Sequence, residues 1–198
     1  MFGIRTAEEL KYQVIEKDSS FEIRQYEPYI SAEVTLEGNY RDIQGDLFRI
    51  LAGYIFGKNQ KKQKISMTTP VVMGSEDNKK SEKIAMTAPV HMRPQEGNRW
   101  TMAFSMPNKY SMDTLPEPLD QRVQLREVNK KIFAVIRFSG AYDNIEKRMA
   151  KAKKLEAWLS EKNKYKKVGT HTFAGYDPPF TLPFLRRNEV MIEIKNRL

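Results

Sequence analysis

The chain has 198 residues and no cysteine, which excludes disulfides, thiolate catalysis, iron–sulfur clusters and cysteine-ligated haem or zinc. Hydrophobic residues make up 40% and charged residues 30%, a composition typical of a folded globular protein and not of a disordered one. The formal charge of +9 predicts a surface that attracts anions, although the lysines also fit the simpler role of solvating loops and one helix face.

The first ten residues contain no apolar stretch of the length that a signal peptide needs. A cytoplasmic protein is therefore expected, and export after removal of a leader is the alternative. No apolar run approaches the roughly 20 residues that span a bilayer, so no transmembrane segment is predicted.

An internal repeat with a constant separation of 102 residues organises the sequence: Ala32 to Leu47 returns in similar form as Ala134 to Met149. Each copy starts with the alternation of a half-buried strand, passes a glycine (Gly38 or Gly140), and continues with a helical period. We predict one domain over residues 10–198, with repeats at about 20–106 and 120–195 related by a pseudo-twofold axis.

Both predicted helices carry an apolar stripe at helical spacing. Gly57 is placed to end the first helix, and Asp143 or Asn144 to cap the start of the second. The first stripe comprises Ile43, Leu47, Ile50, Leu51, Tyr54 and Ile55, and the second Ile145, Met149, Ala152, Leu155, Trp158 and Leu159.

A shorter repeat follows the first helix, where Lys64–Val71 returns as Lys83–Val90 and predicts two strands of a hairpin. Further strands are expected at Trp100–Met106, Val123–Glu127 and Glu189–Ile194. The order of elements predicts an α+β domain in which an antiparallel sheet curls around with two helices outside. A groove where the two halves join is a natural ligand site.

Several separate motifs resemble those of the SOUL haem-binding proteins, over nearly the whole chain. They are Glu22-Ile23-Arg24-Gln25-Tyr26-Glu27-Pro28, the two Lys-Ile-x-Met-Thr-x-Pro-Val segments, Phe138-Ser139-Gly140, Ala174-Gly175-Tyr176-Asp177-Pro178-Pro179 and Arg186-Arg187-Asn188-Glu189-Val190. The resemblance implies a distorted antiparallel β-barrel of two pseudo-symmetric βαββ repeats with two long outer helices, as in the effector-binding domains of multidrug-responsive regulators. It also implies reversible, non-enzymatic binding of haem or another tetrapyrrole.

The resemblance places the haem in an apolar groove beside the first helix and the loop before the last strand. The corresponding cofactor-binding residues are Phe48, Leu51, Ala52 and Ile55 on the helix, and Phe180, Leu182 and Phe184 in the loop. At family positions that carry basic side chains or a proposed iron-ligating histidine, this chain has Gly45, Gly53, Leu182 and Gln25. We therefore expect burial of the haem ring to supply most of the affinity, with the acidic groups of the haem directed toward lysines.

Only His91 and His171 offer imidazole ligands for iron, and neither belongs to a metal-spaced pair, so no dedicated metal site is predicted. Both also fit structural roles at strand ends. Seven of the ten methionines lie between Met67 and Met112, and core filling is the favoured interpretation because Met67 and Met86 recur at equivalent positions.

Arg186, Arg187 and Glu189 are interpreted as a structural group that fixes the preceding loop. The sequence carries no Ser-His-Asp arrangement, phosphate-binding glycine loop or paired-carboxylate motif, so an enzyme is not indicated. The expected partner is a tetrapyrrole bound by a monomer, with no nucleic acid. The alternatives are a general binding module for amphipathic small molecules, a basic protein that binds proteins or nucleic acid, and an enzyme that acts on tetrapyrroles.

Overall fold

The structure is a computed structural model that describes residues 7–61 and 81–197. It has two α-helices, α1 (Tyr40–Ile55) and α2 (Ile145–Ser160), and a 3-10 helix at Pro183–Leu185. The strands are β1 (Glu8–Glu9), β2 (Tyr12–Asp18), β3 (Phe21–Tyr26), β4 (Tyr29–Glu37), β5 (Asn59–Gln60), β6 (Thr87–Ala88), β7 (Val90–Gln95), β8 (Arg99–Ser105), β9 (Glu117–Pro118), β10 (Gln124–Val128), β11 (Lys131–Phe138), β12 (Tyr165–Gly175) and β13 (Asn188–Asn196).

Nine of these strands form one antiparallel sheet in the order β10-β4-β8-β7-β12-β13-β11-β3-β2. The α+β class with two helices is confirmed, but the predicted barrel is wrong because the sheet ends in β10 on one side and β2 on the other and is not closed. The alternation of apolar and polar residues along a strand fixes which face is buried and cannot report whether the two edge strands meet.

The sheet order contains the predicted pseudo-twofold relation. The sequence β4-β8-β7 on one side of the centre mirrors β11-β13-β12 on the other. The outer strands are exchanged between the halves, because β3 precedes β4 in the chain but pairs with β11, and β10 precedes β11 but pairs with β4. Gly38 and Gly140 both have φ near the left-handed region, +138° and +150°, which explains why both copies require glycine at this turn.

The apolar stripe of α1 faces the core as predicted, with Ile43 and Ile50 partly buried, and that of α2 differs at one position. Leu47 of α1 is fully buried, whereas its repeat partner Met149 is 38% exposed. Arg148 takes the buried position instead, at 4% exposure. The predicted cap at Asn144 is confirmed, since its side chain accepts a hydrogen bond from the Lys147 backbone amide at 2.8 Å.

The two faces of the sheet differ. Alternate residues such as Ala32, Val34, Met92 and Phe173 join the helices in the main hydrophobic core, which combines both halves of the chain. The opposite face carries a smaller apolar cluster around Tyr26, Tyr176 and Met191, packed by Leu10 and Tyr12 from the N-terminal segment, and beside it an open cavity.

The second copy of the short repeat does not form the predicted long strand, and the first copy, Lys64–Val71, lies outside the described residues. Within Lys83–Val90 only Thr87–Ala88 is a strand before Pro89, and it pairs in parallel with β1. Met86 is 38% exposed, so its predicted core-filling role is wrong, whereas Met92, Met102 and Met106 are buried as expected. Met67 and Met73 also lie outside the described residues.

Candidate functional site

The helix residues predicted for the groove point in two directions. Leu51 and Ile55 are 0% and 1% exposed and belong to the core between α1 and the sheet. Phe48 is 36% exposed with its ring edge on Phe104 at 5.5 Å between centroids, and Ala52 is half-buried. Only Phe48 and Ala52 therefore offer surface to a ligand, with Leu51 and Ile55 supporting them from beneath.

The loop residues predicted for the groove are strongly exposed. Phe180 is 87%, Leu182 55% and Phe184 69% exposed, and the neighbouring Leu185 is 46% exposed. Exposed large apolar side chains grouped in one loop are typical of binding surfaces. This loop provides an apolar face that no described residue covers.

Arg186 fixes the backbone of this loop, which is the structural role predicted from the sequence. Its guanidinium donates hydrogen bonds to the carbonyls of Thr181 at 2.7 Å and Pro179 at 2.5 Å. The Asp177 carboxylate accepts a hydrogen bond from the Arg187 amide at 2.6 Å and closes the base of the loop. The apolar side chains are thus presented on a fixed backbone.

Two repeat-related tyrosines connect the loop with the start of both helices. The Tyr40 hydroxyl, on the first residue of α1, donates to the Tyr142 carbonyl at 3.3 Å. The Tyr142 hydroxyl in turn donates to the Asp177 carbonyl at 2.5 Å. These two bonds bring the N-terminal end of α1, the segment before α2 and the loop to one corner of the molecule.

A buried arginine lies at this corner, and sequence reasoning did not identify it. The Arg148 guanidinium donates to the Tyr40 hydroxyl at 3.3 Å and lies 5.5 Å from the ring centroid of Tyr142 and 5.3 Å from that of Phe173. Its Nε is buried and has no hydrogen-bond partner. The sequence does contain a signal for its burial: Arg148 lies three residues after Ile145 and four before Ala152, on the same face of the helix as the apolar stripe.

The two histidines lie on opposite faces of the sheet. His91 lines the cavity face, and burial lowers its pKa to about 4, so its imidazole is neutral at pH 7. His171 lies within β12 and not at a strand end; its ring centroid is 4.9 Å from that of Phe173, on the helix face, and its Nε2 is buried without a partner. Burial also lowers the pKa of His171.

A buried charge network anchors the base of the loop to the sheet. The Glu189 carboxylate is fully buried and accepts hydrogen bonds from Arg24 at 2.7 Å, Tyr176 at 2.8 Å and Arg187 at 3.0 Å. Burial acts to raise the pKa of Glu189, but the hydrogen bond and charge of Arg24, with those of Arg187, outweigh it and lower the pKa. This supports the structural interpretation of Arg187 and Glu189.

The cavity on the sheet face opposite the helices has a volume of about 690 Å³. Several of its charges are paired: Glu33 lies 3.7 Å from Arg93 and 3.6 Å from Arg126, and Glu193 lies 2.7 Å from Lys131. Apolar walls are mixed with these ion pairs. The lining includes Tyr29, Ala103, Phe133, Thr172 and Met191.

The described residues contain no cluster of three or more histidine, cysteine or acidic side chains arranged to hold a metal ion. Within the same residues, neither helix is long and apolar enough to cross a membrane.

The fold has relatives among solved structures. The C-terminal domain of EcmrR superposes with a TM-score of 0.58 at 11% identity, over 94% of this chain and 99% of that domain. A hydrolase from Listeria innocua superposes with a TM-score of 0.53 at 12% identity, over 91% of this chain and 94% of that one. At these identities the likeness establishes a shared fold.

Sequence comparison gives the family. Heme-binding protein 1 of Xenopus tropicalis is 30% identical over 188 residues, which cover 91% of this chain and 87% of that protein. Heme-binding protein 2 of Homo sapiens is 29% identical over 179 residues, covering 89% of this chain and 79% of that protein. The sequence profile described as SOUL heme-binding protein matches residues 7–76 and 74–193. Since the matched regions span nearly the entire chain, it belongs to the SOUL heme-binding protein family.

Proposed function

We propose that this chain binds haem or a related tetrapyrrole reversibly, without converting it, on the apolar surface made by α1 and the loop before β13. The proposal rests chiefly on one observation: Phe180, Leu182 and Phe184 are exposed on a backbone fixed by Arg186. Phe48 and Ala52 supply the helix side of this surface, and Leu51 and Ile55 support it. Family membership agrees with haem as the ligand class.

Burial of the ring supplies most of the affinity in this proposal. Apolar surface removed from water contributes about 25 cal/mol per Å² before the costs of association. A flat macrocycle covering two phenylalanines therefore gains several kcal/mol without an iron–protein bond. Neither His91 nor His171 is required, and loss of either leaves the affinity within about threefold.

Titration with hemin, followed by the Soret absorbance, tests the proposal. We expect saturable binding at micromolar protein, and at least about tenfold weaker binding for the double variant Phe180→Ser with Phe184→Ser, because each serine removes apolar contact area. Phe56→Ser is the matched control, since Phe56 is 60% exposed just after α1 and lies outside the proposed surface. Absence of a saturable change in the unmodified chain refutes the proposal.

The cavity of about 690 Å³ supports a second candidate function, general binding of amphipathic small molecules. Its size is typical of sites for small organic ligands. Competition between hemin and an aromatic cation such as tetraphenylphosphonium separates the two functions. Mutual displacement indicates one shared, unselective site, and independent binding indicates that haem has its own.

A further inference from the structure

Three arginines are buried in the described part of the chain, and one of them differs from the others. Arg24 and Arg187 are ion-paired with the Glu189 carboxylate at 2.7 Å and 3.0 Å. Arg148, equally buried at 4% exposure, has no carboxylate within ion-pair distance among the described residues. The Arg148 guanidinium instead contacts the Tyr40 hydroxyl and the ring faces of Tyr142 and Phe173.

The energetics of the three arginines follow this difference. Burial acts to lower the pKa of Arg24 and of Arg187, but contact with Glu189 outweighs it and the pKa of each is raised. For Arg148 burial prevails and lowers its pKa, against the weaker opposing effects of Tyr40, Tyr142 and Asp143. A buried cation without an ion-pair partner is costly, and no carboxylate of the described residues lies within ion-pair distance of Arg148.

The surroundings of Arg148 favour an anion from outside the chain. The N-terminal ends of α1 and α2 both lie beside Arg148, because Arg148 is in the first turn of α2 and contacts Tyr40, the first residue of α1. Helix N-termini carry partial positive charge. The orphan Nε of Arg148 and the orphan Nε2 of His171 lie beside the same Phe173 ring. Two of the three unpartnered buried side-chain atoms of the described residues thus flank one ring.

We infer that Arg148 binds a carboxylate of the ligand, and so selects flat apolar molecules that carry a carboxylate arm over those that do not. This inference rests on the proposed function and adds a specificity residue to it. The guanidinium offers a planar set of donors that matches a carboxylate, and its Nε is buried without a hydrogen-bond partner. Arg148 lies within the corner formed by α1, Tyr142 and the loop.

The half-buried Tyr142 ring lies between Arg148 and Arg186, whose guanidinium carbons are 5.5 Å and 4.8 Å from the ring centroid. Arg186 donates from Nε and Nη2 to the loop carbonyls, whereas Arg148 is the buried cation of this cluster and its Nε has no hydrogen-bond partner. The resemblance-based positions Gly45, Gly53 and Leu182 offer no cation. Arg148, on α2, provides the cation that those three positions lack.

The test compares hemin with hemin dimethyl ester, which has the same ring and no carboxylate, on the unmodified chain, Arg148→Met and Arg148→Lys. We expect Arg148→Met to weaken hemin binding by about 10- to 100-fold, the range for a hydrogen bond to a charged group. The ester should bind the unmodified chain and Arg148→Met equally, within about threefold. Arg148→Lys keeps the charge without the planar donors and should fall between the two.

A merely structural arginine predicts a different pattern. Loss of fold would weaken hemin and ester alike and lower the midpoint of urea unfolding, which overturns the inference while leaving the proposed function intact if the unmodified chain binds hemin. We expect instead that Arg148→Met unfolds at an equal or higher urea concentration, because an uncompensated buried charge has been removed.

A second readout does not depend on porphyrin binding. In ¹H–¹⁵N spectra the Arg148 Nε–H signal, assigned by its loss in Arg148→Met, should shift on titration with 3-phenylpropionate, and the Nε–H signals of Arg24 and Arg187 should not. No shift at saturating 3-phenylpropionate overturns the inference. If the shift occurs but hemin does not bind, the proposed haem-binding function is refuted, whereas the carboxylate site at Arg148 is supported.

Discussion

At the scale of single residues, Glu189 is the acid on which the base of the loop depends. We expect Glu189→Gln to destabilise the protein by about 3–5 kcal/mol, because the substitution leaves the buried Arg24 without its main counter-charge. Urea unfolding followed by circular dichroism measures the difference. Glu193→Gln is the control: it breaks a partly exposed contact with Lys131 and should cost about 1 kcal/mol or less. Equal effects for both would contradict the assigned role.

His91 gives a pH dependence whose sign is fixed by its burial. Its pKa is lowered to about 4 in the folded chain by burial, with a smaller effect of Arg93, whereas the unfolded value is near 6.5. Between these two pH values the unfolded state binds the extra proton, so the contribution of His91 to stability is present above pH 6.5 and is lost as the pH falls toward 4.

This contribution amounts to about 3 kcal/mol at most, from 1.36 kcal/mol per pKa unit. The difference in unfolding free energy between the unmodified chain and His91→Gln isolates it from the carboxylates, which titrate in both proteins. We expect this difference to change by about 2–3 kcal/mol between pH 7 and pH 4.5. A difference that stays constant with pH would show that His91 titrates normally.

Arg148 also shows where reasoning from sequence fails at this scale. The repeat aligns Met149 with the buried Leu47, and a charged residue next to a methionine is normally placed toward solvent. The structure reverses the two, because the Tyr40 hydroxyl accepts a hydrogen bond from the guanidinium and the Tyr142 and Phe173 rings offer it aromatic faces. These contacts join three distant segments, and no local pattern contains them.

At the scale of elements, the two helices were predictable almost to the residue because their apolar stripes and turn glycines are local signals. Their caps provide a matched pair. The Asn144 side chain accepts a hydrogen bond from the Lys147 amide, whereas Asn39, the corresponding first residue before α1, makes no side-chain cap. We expect Asn144→Ala to cost about 1 kcal/mol of unfolding free energy and Asn39→Ala less than half of that. Thermal or urea unfolding measures both free energies. A larger loss for Asn39→Ala than for Asn144→Ala would contradict the assigned cap.

The loop before β13 is an element whose order depends on one side chain. Removing the Arg186 guanidinium deletes the hydrogen bonds to the Thr181 and Pro179 carbonyls. We expect Arg186→Ala to speed hydrogen exchange of the Thr181 and Leu185 amides by about tenfold while the amides of β13 keep their protection. Arg122→Ala, which removes an exposed contact with Asp120, serves as control. Unchanged exchange in the loop would show that its prolines alone fix it.

At the scale of the whole molecule, the pseudo-twofold symmetry was readable from the repeat, but the exchange of β3 and β10 between halves and the open sheet were not. Sheet closure and strand exchange depend on pairing between residues more than a hundred positions apart, such as Ala134 with Ile23. The alternating pattern is the same whichever partner a strand takes. The consequence is a sheet with two separate faces, one packed against the helices and the other lined by the open cavity.

The two faces can be tested against each other. Thr172 lines the cavity on the face opposite the helices, and a phenylalanine there projects into about 690 Å³ of open space. Thr172→Phe should therefore narrow the cavity at little cost in stability, since aromatic residues are favoured in strands. We expect it to leave hemin affinity within about threefold and to weaken binding of any aromatic cation that the unmodified chain takes up in the cavity.

The reverse outcome is equally informative. If Thr172→Phe abolished hemin binding while Phe180→Ser with Phe184→Ser left it intact, haem would lie in the cavity among Glu33, Glu193 and their paired cations. There a ligand carboxylate would have to displace an existing carboxylate from Arg93 or Lys131, or bind to the exposed Arg99, which is in no ion pair among the described residues. On the helix face Arg148 requires no such exchange, because no acid of the described residues is paired with it. Differential charge compensation is thus the physical reason to expect haem on the helix face.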